Sequence, residues 1–183
     1  LGDTDSAVDC YQRVLNISPG FVPALKALGR LYQKKGRWDD LVEMYRREID
    51  VSRDPRGTAA LYFKIGGVME GKLLQGDRAV EVYQRALEAD PGFLPALKAL
   101  ERIHTTRGQW PELAAVIEKI CVILEDKSQV AQTLYRLGEI WEDRLDDDVA
   151  RGFPNAQAVN EALRGLLELA RRVPRARRKS AAG

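Results

Sequence analysis

Apolar residues recur every three or four positions through most of this chain, which is the spacing of helices that bury one face. One apolar stripe contains Leu25, Leu28, Leu31 and Tyr32. The next contains Leu41, Met44, Tyr45 and Ile49. Alternation with a period of two is not sustained, so we predict no β-sheet. The pattern predicts helices at about residues 3–17, 22–35, 37–51, 56–74, 77–89, 94–107, 110–125, 128–144 and 155–173.

Glycines stand between the predicted helices. Gly36 separates the first two stripes and is placed to end a helix in the left-handed conformation. Gly20 and Gly92 each follow a proline, which breaks the chain at those points. Connections this short make neighbouring helices antiparallel.

Two segments of the chain are nearly the same sequence. Residues 7–45 and 79–117 align without a gap, and 19 of the 39 aligned positions are identical. A fixed internal period predicts an array of small stacked units rather than one closed core. Arrays of this kind usually bind other molecules.

The repeated residues resemble the tetratricopeptide repeat (TPR) family, whose unit is a pair of helices, A and B. Leu28 and Gly29 match the Leu-Gly pair of helix A, and Tyr32 matches the tyrosine that follows. The Ala-Val-x-x-Tyr-Gln-Arg-Ala-Leu-x-x-x-Pro signature of helix B is kept in residues 79–91. The resemblance implies an all-α, right-handed solenoid of antiparallel helix pairs, a TPR-like superhelix. Glu101 departs from the family's glycine.

The resemblance also implies a domain organisation. We expect a partial repeat with only its helix B at residues 1–20, a TPR-like array at 21–145, and a degenerate repeat or capping helix at 146–173. A disordered basic tail is expected at 174–183. Six cations and no acid lie in residues 171–183, although the whole chain has a net charge of only +2, so the rest of the chain is mildly acidic.

Residues that commonly carry catalysis are scarce. The chain has one histidine, His104, and two distant cysteines, Cys10 and Cys121, which we expect to be packed in the core. Phosphate-loop, dinucleotide-binding and metalloprotease motifs are missing from the sequence. We therefore expect no enzymatic activity, no cofactor and no metal. Unpaired cysteines favour a reducing compartment, hence a cytoplasmic location, and no apolar run has the length of a membrane span.

Exposed positions of the helix A segments carry the positive functional signal. In the family resembled here, helix A residues that are not used for packing line a concave groove. The corresponding positions in this chain are Lys26, Arg30, Phe63, Lys98, Arg102, Tyr135 and Glu139. Cations four residues apart on a helix point the same way. The pattern suits a peptide whose acidic or phosphorylated groups are spaced by apolar side chains, although the same residues could be ordinary solvated charges.

The sequence thus favours a protein–protein interaction scaffold or adaptor that holds a partner segment in its groove. Two alternatives stay open: a regulatory arm of a larger enzyme whose catalytic domain lies outside this chain, and a self-association module. A membrane partner is not expected. The basic tail lacks interleaved aromatic residues, so the sequence does not favour a nucleic-acid partner.

Overall fold

The structure, a computed structural model, describes residues 2–144, and all regular structure in that range is helical. The helices are α1 (Gly2–Ile17), α2 (Val22–Lys35), α3 (Trp38–Val51), α4 (Pro55–Gly71), α5 (Gly76–Ala89), α6 (Leu94–Arg107), α7 (Trp110–Ile123) and α8 (Lys127–Arg144). The predicted all-α fold is confirmed. The ninth predicted helix, at 155–173, and the predicted tail at 174–183 lie outside the described residues.

The period of the sequence is also the period of the helices. The helices α2, α3 and α4 begin at Val22, Trp38 and Pro55, and α6, α7 and α8 begin 72 residues later, at Leu94, Trp110 and Lys127. We therefore extend the two copies at this offset, so that the first copy includes α4 and the second includes α8. An aspartate caps the start of α4, and an aspartate at the equivalent position caps the start of α8. Asp54 accepts hydrogen bonds from the backbone N–H of Arg56 and Gly57, and Asp126 accepts one from that of Ser128.

Gly36 ends α2 as the sequence predicts, and Gly108 ends α6 at the equivalent position. Their φ angles are 68° and 65°, in the left-handed region that a side chain disfavours. At the first of them, Gly36 N–H donates to the Gln33 carbonyl (3.2 Å) and Arg37 N–H donates to the Tyr32 carbonyl (2.9 Å). This is the Schellman arrangement, which satisfies the last helical carbonyls and turns the chain sharply.

The chain divides into two compact units, Leu1–Leu100 and Glu101–Gly183. In the first unit, α1, α2 and α3 share a core that includes Leu15, Leu28 and Leu41. In the second, α7 and α8 share a core that includes Ile117 and Leu137. Contacts join α1 to α2, α2 to α3, α3 to α4, α4 to α5, and α7 to α8, and the short connections make these pairs antiparallel.

Cys121 is buried as predicted, but the same prediction for Cys10 is wrong, because Cys10 is exposed. Cys10 lies two residues beyond the buried Val8, and two residues carry a side chain to the opposite side of a helix. The neighbouring Tyr11 is 37% exposed. Tyr83, its repeat counterpart, is only 2% exposed because α4 covers that face of α5.

Candidate functional site

α2 presents two of the predicted cations on one face. Leu25, Leu28 and Gly29 are buried, whereas Lys26 and Arg30 are exposed. Residues four apart on a helix lie one above the other, so the two cations form a short basic strip along α2. Because the neighbouring apolar residues are buried, they set the rotation of α2 about its axis, and this rotation decides which way the basic strip faces.

This strip borders a pocket between α2, α3 and α4, which we call the basic pocket. Its volume is about 610 Å³, and it is open to solvent. The residues that line it are Leu25, Lys26, Gly29, Arg30, Gln33, Tyr45, Glu48 and Lys64. The structure therefore brings Lys26 and Arg30 together with a third cation, Lys64, which the sequence pattern did not single out.

Two contacts organise the polar side chains of the basic pocket. Lys26 Nζ lies 3.3 Å from Glu48 Oε1, and the Glu48 side chain is only 14% exposed. Lys64 Nζ lies over the Tyr45 ring, 5.7 Å from its centroid. Burial, and to a lesser extent the nearby Glu48 carboxylate, raises the pKa of Tyr45. The phenol therefore stays protonated at neutral pH and can donate a hydrogen bond.

The charge balance of the basic pocket favours anions. Lys26, Arg30 and Lys64 are cations at neutral pH, and Glu48 supplies the one carboxylate in the lining. Since the cations exceed the carboxylates, an anion that enters is attracted. A guanidinium can bind a carboxylate or phosphate through two parallel hydrogen bonds.

Phe63, another predicted position, is half-buried against other aromatic rings. Its centroid lies 5.6 Å from that of Tyr83 and 5.9 Å from that of Phe93. Contacts of this kind stabilise the packing of α4 on α5. Much of the surface of the Phe63 ring is therefore covered by contacts inside the first unit.

The other predicted positions are exposed on their own helices. Lys98 and Arg102 lie one turn apart on α6, in the first and the second unit respectively. Tyr135 and Glu139 lie on α8, also four residues apart. All four side chains are exposed, and their role in partner binding stays a prediction.

Arg136 on α8 is a second basic residue that the sequence pattern did not single out. Its Nη1 donates to Glu101 Oε1 at 2.8 Å, and the Glu101 side chain is only 6% exposed. Arg136 is the repeat counterpart of Lys64, and Glu101 is that of Gly29. If the repeat alignment is continued beyond Ile117, Lys64 and Arg136 occupy equivalent positions. This shared basic character is the sequence signal that could have identified both residues.

His104 is buried, as expected, with Nδ1 2.9 Å from Gln109 Oε1. Among the described residues, no three His, Cys, Asp or Glu side chains are grouped so that they could hold a metal ion. No helix in the described part of the chain has both the length and the apolar character to cross a membrane.

Relatives of known identity match parts of the chain. The chain is 33% identical over 99 residues to the Protein CTR9 homolog of Arabidopsis thaliana, which is 54% of this chain and 9% of that protein. It is 30% identical over 150 residues to the Probable UDP-N-acetylglucosamine--peptide N-acetylglucosaminyltransferase SPINDLY of Hordeum vulgare, which is 79% of this chain and 15% of that protein. The chain thus spans less than a fifth of either relative.

A solved structure and a family model match the helical repeat itself. The structure is that of YrrB, a TPR protein with an unusual peptide-binding site. Its TM-score is 0.52, and the two chains are 17% identical over 92% of this chain and 82% of that one. The family model for the tetratricopeptide repeat matches residues 24–59 and 96–131, which are equivalent segments of the two sequence copies. The chain therefore carries tetratricopeptide repeats at these two places and has the all-α fold of TPR proteins.

Proposed function

We propose that this chain is a protein-interaction scaffold segment that binds an acidic side chain of a partner protein in the basic pocket. The observation that carries this proposal is the meeting of Lys26, Arg30 and Lys64, from two helices, around one open volume of about 610 Å³. The partner group would be a carboxylate or a phosphate. The aromatic ring of Tyr45 and the apolar Leu25 would contact the neighbouring side chain of the partner.

Stability alone gives little reason for this arrangement. Ion pairs between solvent-exposed side chains contribute only about 0–1 kcal/mol to folding, and the side chains of Arg30 and Lys64 are exposed. Lys26 is largely exposed while its partner Glu48 is largely buried, so the pair holds one cation at the mouth of the pocket. In an interface, such charges mainly set specificity and the rate of association.

The family supports a protein or peptide as the class of partner. Tetratricopeptide repeats support a scaffold role, and YrrB is a TPR protein with an unusual peptide-binding site. We propose that Phe63, Lys98, Arg102, Tyr135 and Glu139 also contact partner proteins. Their exposed parts would contribute area and additional charge.

A double substitution tests the basic pocket. The probe is a fluorescein-labelled peptide of alternating leucine and glutamate, titrated against the chain by fluorescence anisotropy. Arg30→Ala with Lys64→Ala should weaken binding tenfold or more, because each charge-assisted hydrogen bond contributes roughly 1.5–3 kcal/mol. The matched control, Lys34→Ala with Arg46→Ala, removes the same charge from exposed positions outside the pocket lining and should change affinity about twofold at most.

If the two double variants lose affinity equally, the attraction is a general effect of net charge and the pocket assignment is wrong. Absence of binding by the unaltered chain at any salt concentration would also contradict the proposal.

A second candidate function rests on the similarity to SPINDLY, which covers most of this chain but only 15% of that protein. We propose, as the alternative, that the chain is a recognition arm of a larger enzyme. A glycosyltransferase assay on the full-length gene product and on this chain separates the two candidates. If the full-length product is active and loses that activity when this segment is removed, the result favours the recognition arm.

A further inference from the structure

The two copies of the repeat differ in one respect that concerns anion binding. Because the helices begin at equivalent positions in both copies, each residue of the basic pocket has a defined counterpart. Gly29 corresponds to Glu101, and Lys64 corresponds to Arg136. The first copy therefore has a basic residue facing a pocket with glycine in its wall. The second copy has a basic residue already bound to a carboxylate.

The polar wall of the pocket has also been replaced in the second copy. Tyr45 and Glu48 correspond to Ile117 and Ile120, both fully buried. Aliphatic packing and the Arg136–Glu101 ion pair thus stand where the first copy has a polar, open volume. A buried carboxylate must be paired, and Arg136 supplies that pairing.

From this comparison we infer that Glu101 is a built-in ligand: it gives Arg136 the carboxylate that, in the first copy, a partner protein supplies to Lys64. The chain would then bind one acidic group, in the basic pocket, and keep the second position closed. This inference rests on the proposed function for the first copy. For the second copy it rests on the observed ion pair alone.

The space beside Gly29 is compatible with this interpretation. A Cβ added at Gly29 would lie 3.4 Å from Leu41 Cδ1, so a side chain there needs only a small movement of that leucine. The second copy keeps the leucine, as Leu113, beside Glu101. It has the shorter Val116 in place of Met44.

Placing the carboxylate in the first copy is the direct experiment. Gly29→Glu should lower affinity for the leucine–glutamate peptide tenfold or more, because the new side chain occupies Lys64. Gly29→Gln, of equal size but uncharged, should lose clearly less. Equal losses of affinity in both variants would mean that the new side chain blocks the pocket by its size alone and that its charge has no effect. That result would overturn the inference. Adding Met44→Val to both variants keeps the comparison valid if the single substitutions fold poorly by circular dichroism.

Removing the carboxylate from the second copy is an independent experiment. Glu101→Gly should lower the melting temperature, and sodium acetate should restore part of the loss relative to sodium chloride at equal ionic strength. The unaltered second copy already holds its carboxylate, so the Gly29→Glu chain should gain less from acetate than Glu101→Gly does. No selective effect of acetate would overturn the inference.

The two proposals can fail separately. If the unaltered chain does not bind the peptide but acetate rescues Glu101→Gly, the proposed function is wrong, and only the part of the inference that concerns Glu101 and Arg136 stands. If the peptide binds but Gly29→Glu leaves the affinity unchanged, the built-in ligand is wrong and the basic pocket stands.

Discussion

At the scale of single residues, two adjacent glycines of α4 have opposite surroundings. A Cβ added at Gly66 would lie 2.4 Å from Cε1 of Tyr83, whereas one added at Gly67 would have nothing within 4 Å. The Tyr83 hydroxyl also donates to Glu70 Oε2 at 3.1 Å, so the ring is held on the α4 backbone. Gly66 therefore sets how closely α4 and α5 can approach.

These surroundings predict opposite effects for the same substitution. Gly66→Ala should lower the free energy of unfolding by up to about 2 kcal/mol, because overpacking costs about 1–3 kcal/mol and the higher helix propensity of alanine regains roughly 1 kcal/mol. Gly67→Ala should raise it by about 0.5–1 kcal/mol. Urea denaturation followed by circular dichroism measures both, and a change of the same sign in both variants would contradict the prediction.

At the scale of elements, the connection between α4 and α5 differs from its counterparts. Two residues, one of them glycine, join α2 to α3 and α6 to α7, but four residues join α4 to α5. Within that connection Leu74 has a φ of 55° and is 84% exposed. A leucine in the left-handed region is strained by its Cβ, and here no burial of its side chain offsets the strain.

Relief of this strain should stabilise the protein. Leu74→Gly is expected to raise the free energy of unfolding by about 0.5–1 kcal/mol, since left-handed strain of about 1–2 kcal/mol is partly cancelled by the flexibility of glycine in the unfolded chain. Thermal melts of Leu74→Gly and Leu74→Ala make the comparison. If alanine stabilises as much as glycine, removal of the exposed apolar side chain explains the gain and the backbone conformation does not.

At the scale of the whole molecule, the chain consists of two compact units that meet in sequence at residues 100 and 101. In repeat proteins, stability is approximately a sum of terms for each unit and its nearest neighbours. A change in one unit should therefore be felt most strongly within that unit. Trp38 in the first unit and Trp110 in the second are placed to report on each separately.

Single-tryptophan chains test this locality. One keeps Trp38 and the other keeps Trp110, with phenylalanine at the remaining tryptophan positions. Gly66→Ala should shift the urea midpoint of Trp38 fluorescence more than that of Trp110 fluorescence, because Gly66 lies in the first unit. Equal shifts from both reporters would mean that the chain unfolds as one cooperative body.

Much of the fold could be predicted because its signals are local. Gly36 and Gly108 end their helices through their own backbone conformation, and the apolar stripes fix which face of each helix is buried. Helix boundaries consequently fell within a few residues of those observed. The predicted end of α4 at residue 74 was the largest error, since α4 ends at Gly71 and Leu74 turns the chain.

The basic pocket could be predicted only in part. Lys26 and Arg30 share one helix face, and spacing along the sequence reveals this. Lys64 meets Tyr45 because α4 packs against α3, and no periodicity within one helix encodes that contact. Glu101 is recognisable in the sequence as a departure from glycine, but its partner lies 35 residues away.

The exposed thiol of Cys10 has a practical consequence. In air, two chains can become covalently joined through it, and the product would have twice the mass without any native dimer being present. Tests of self-association should therefore include a reductant or a Cys10→Ser chain. The same thiol accepts a maleimide dye, whereas the buried Cys121 is shielded from such reagents, so a single label can be attached to α1.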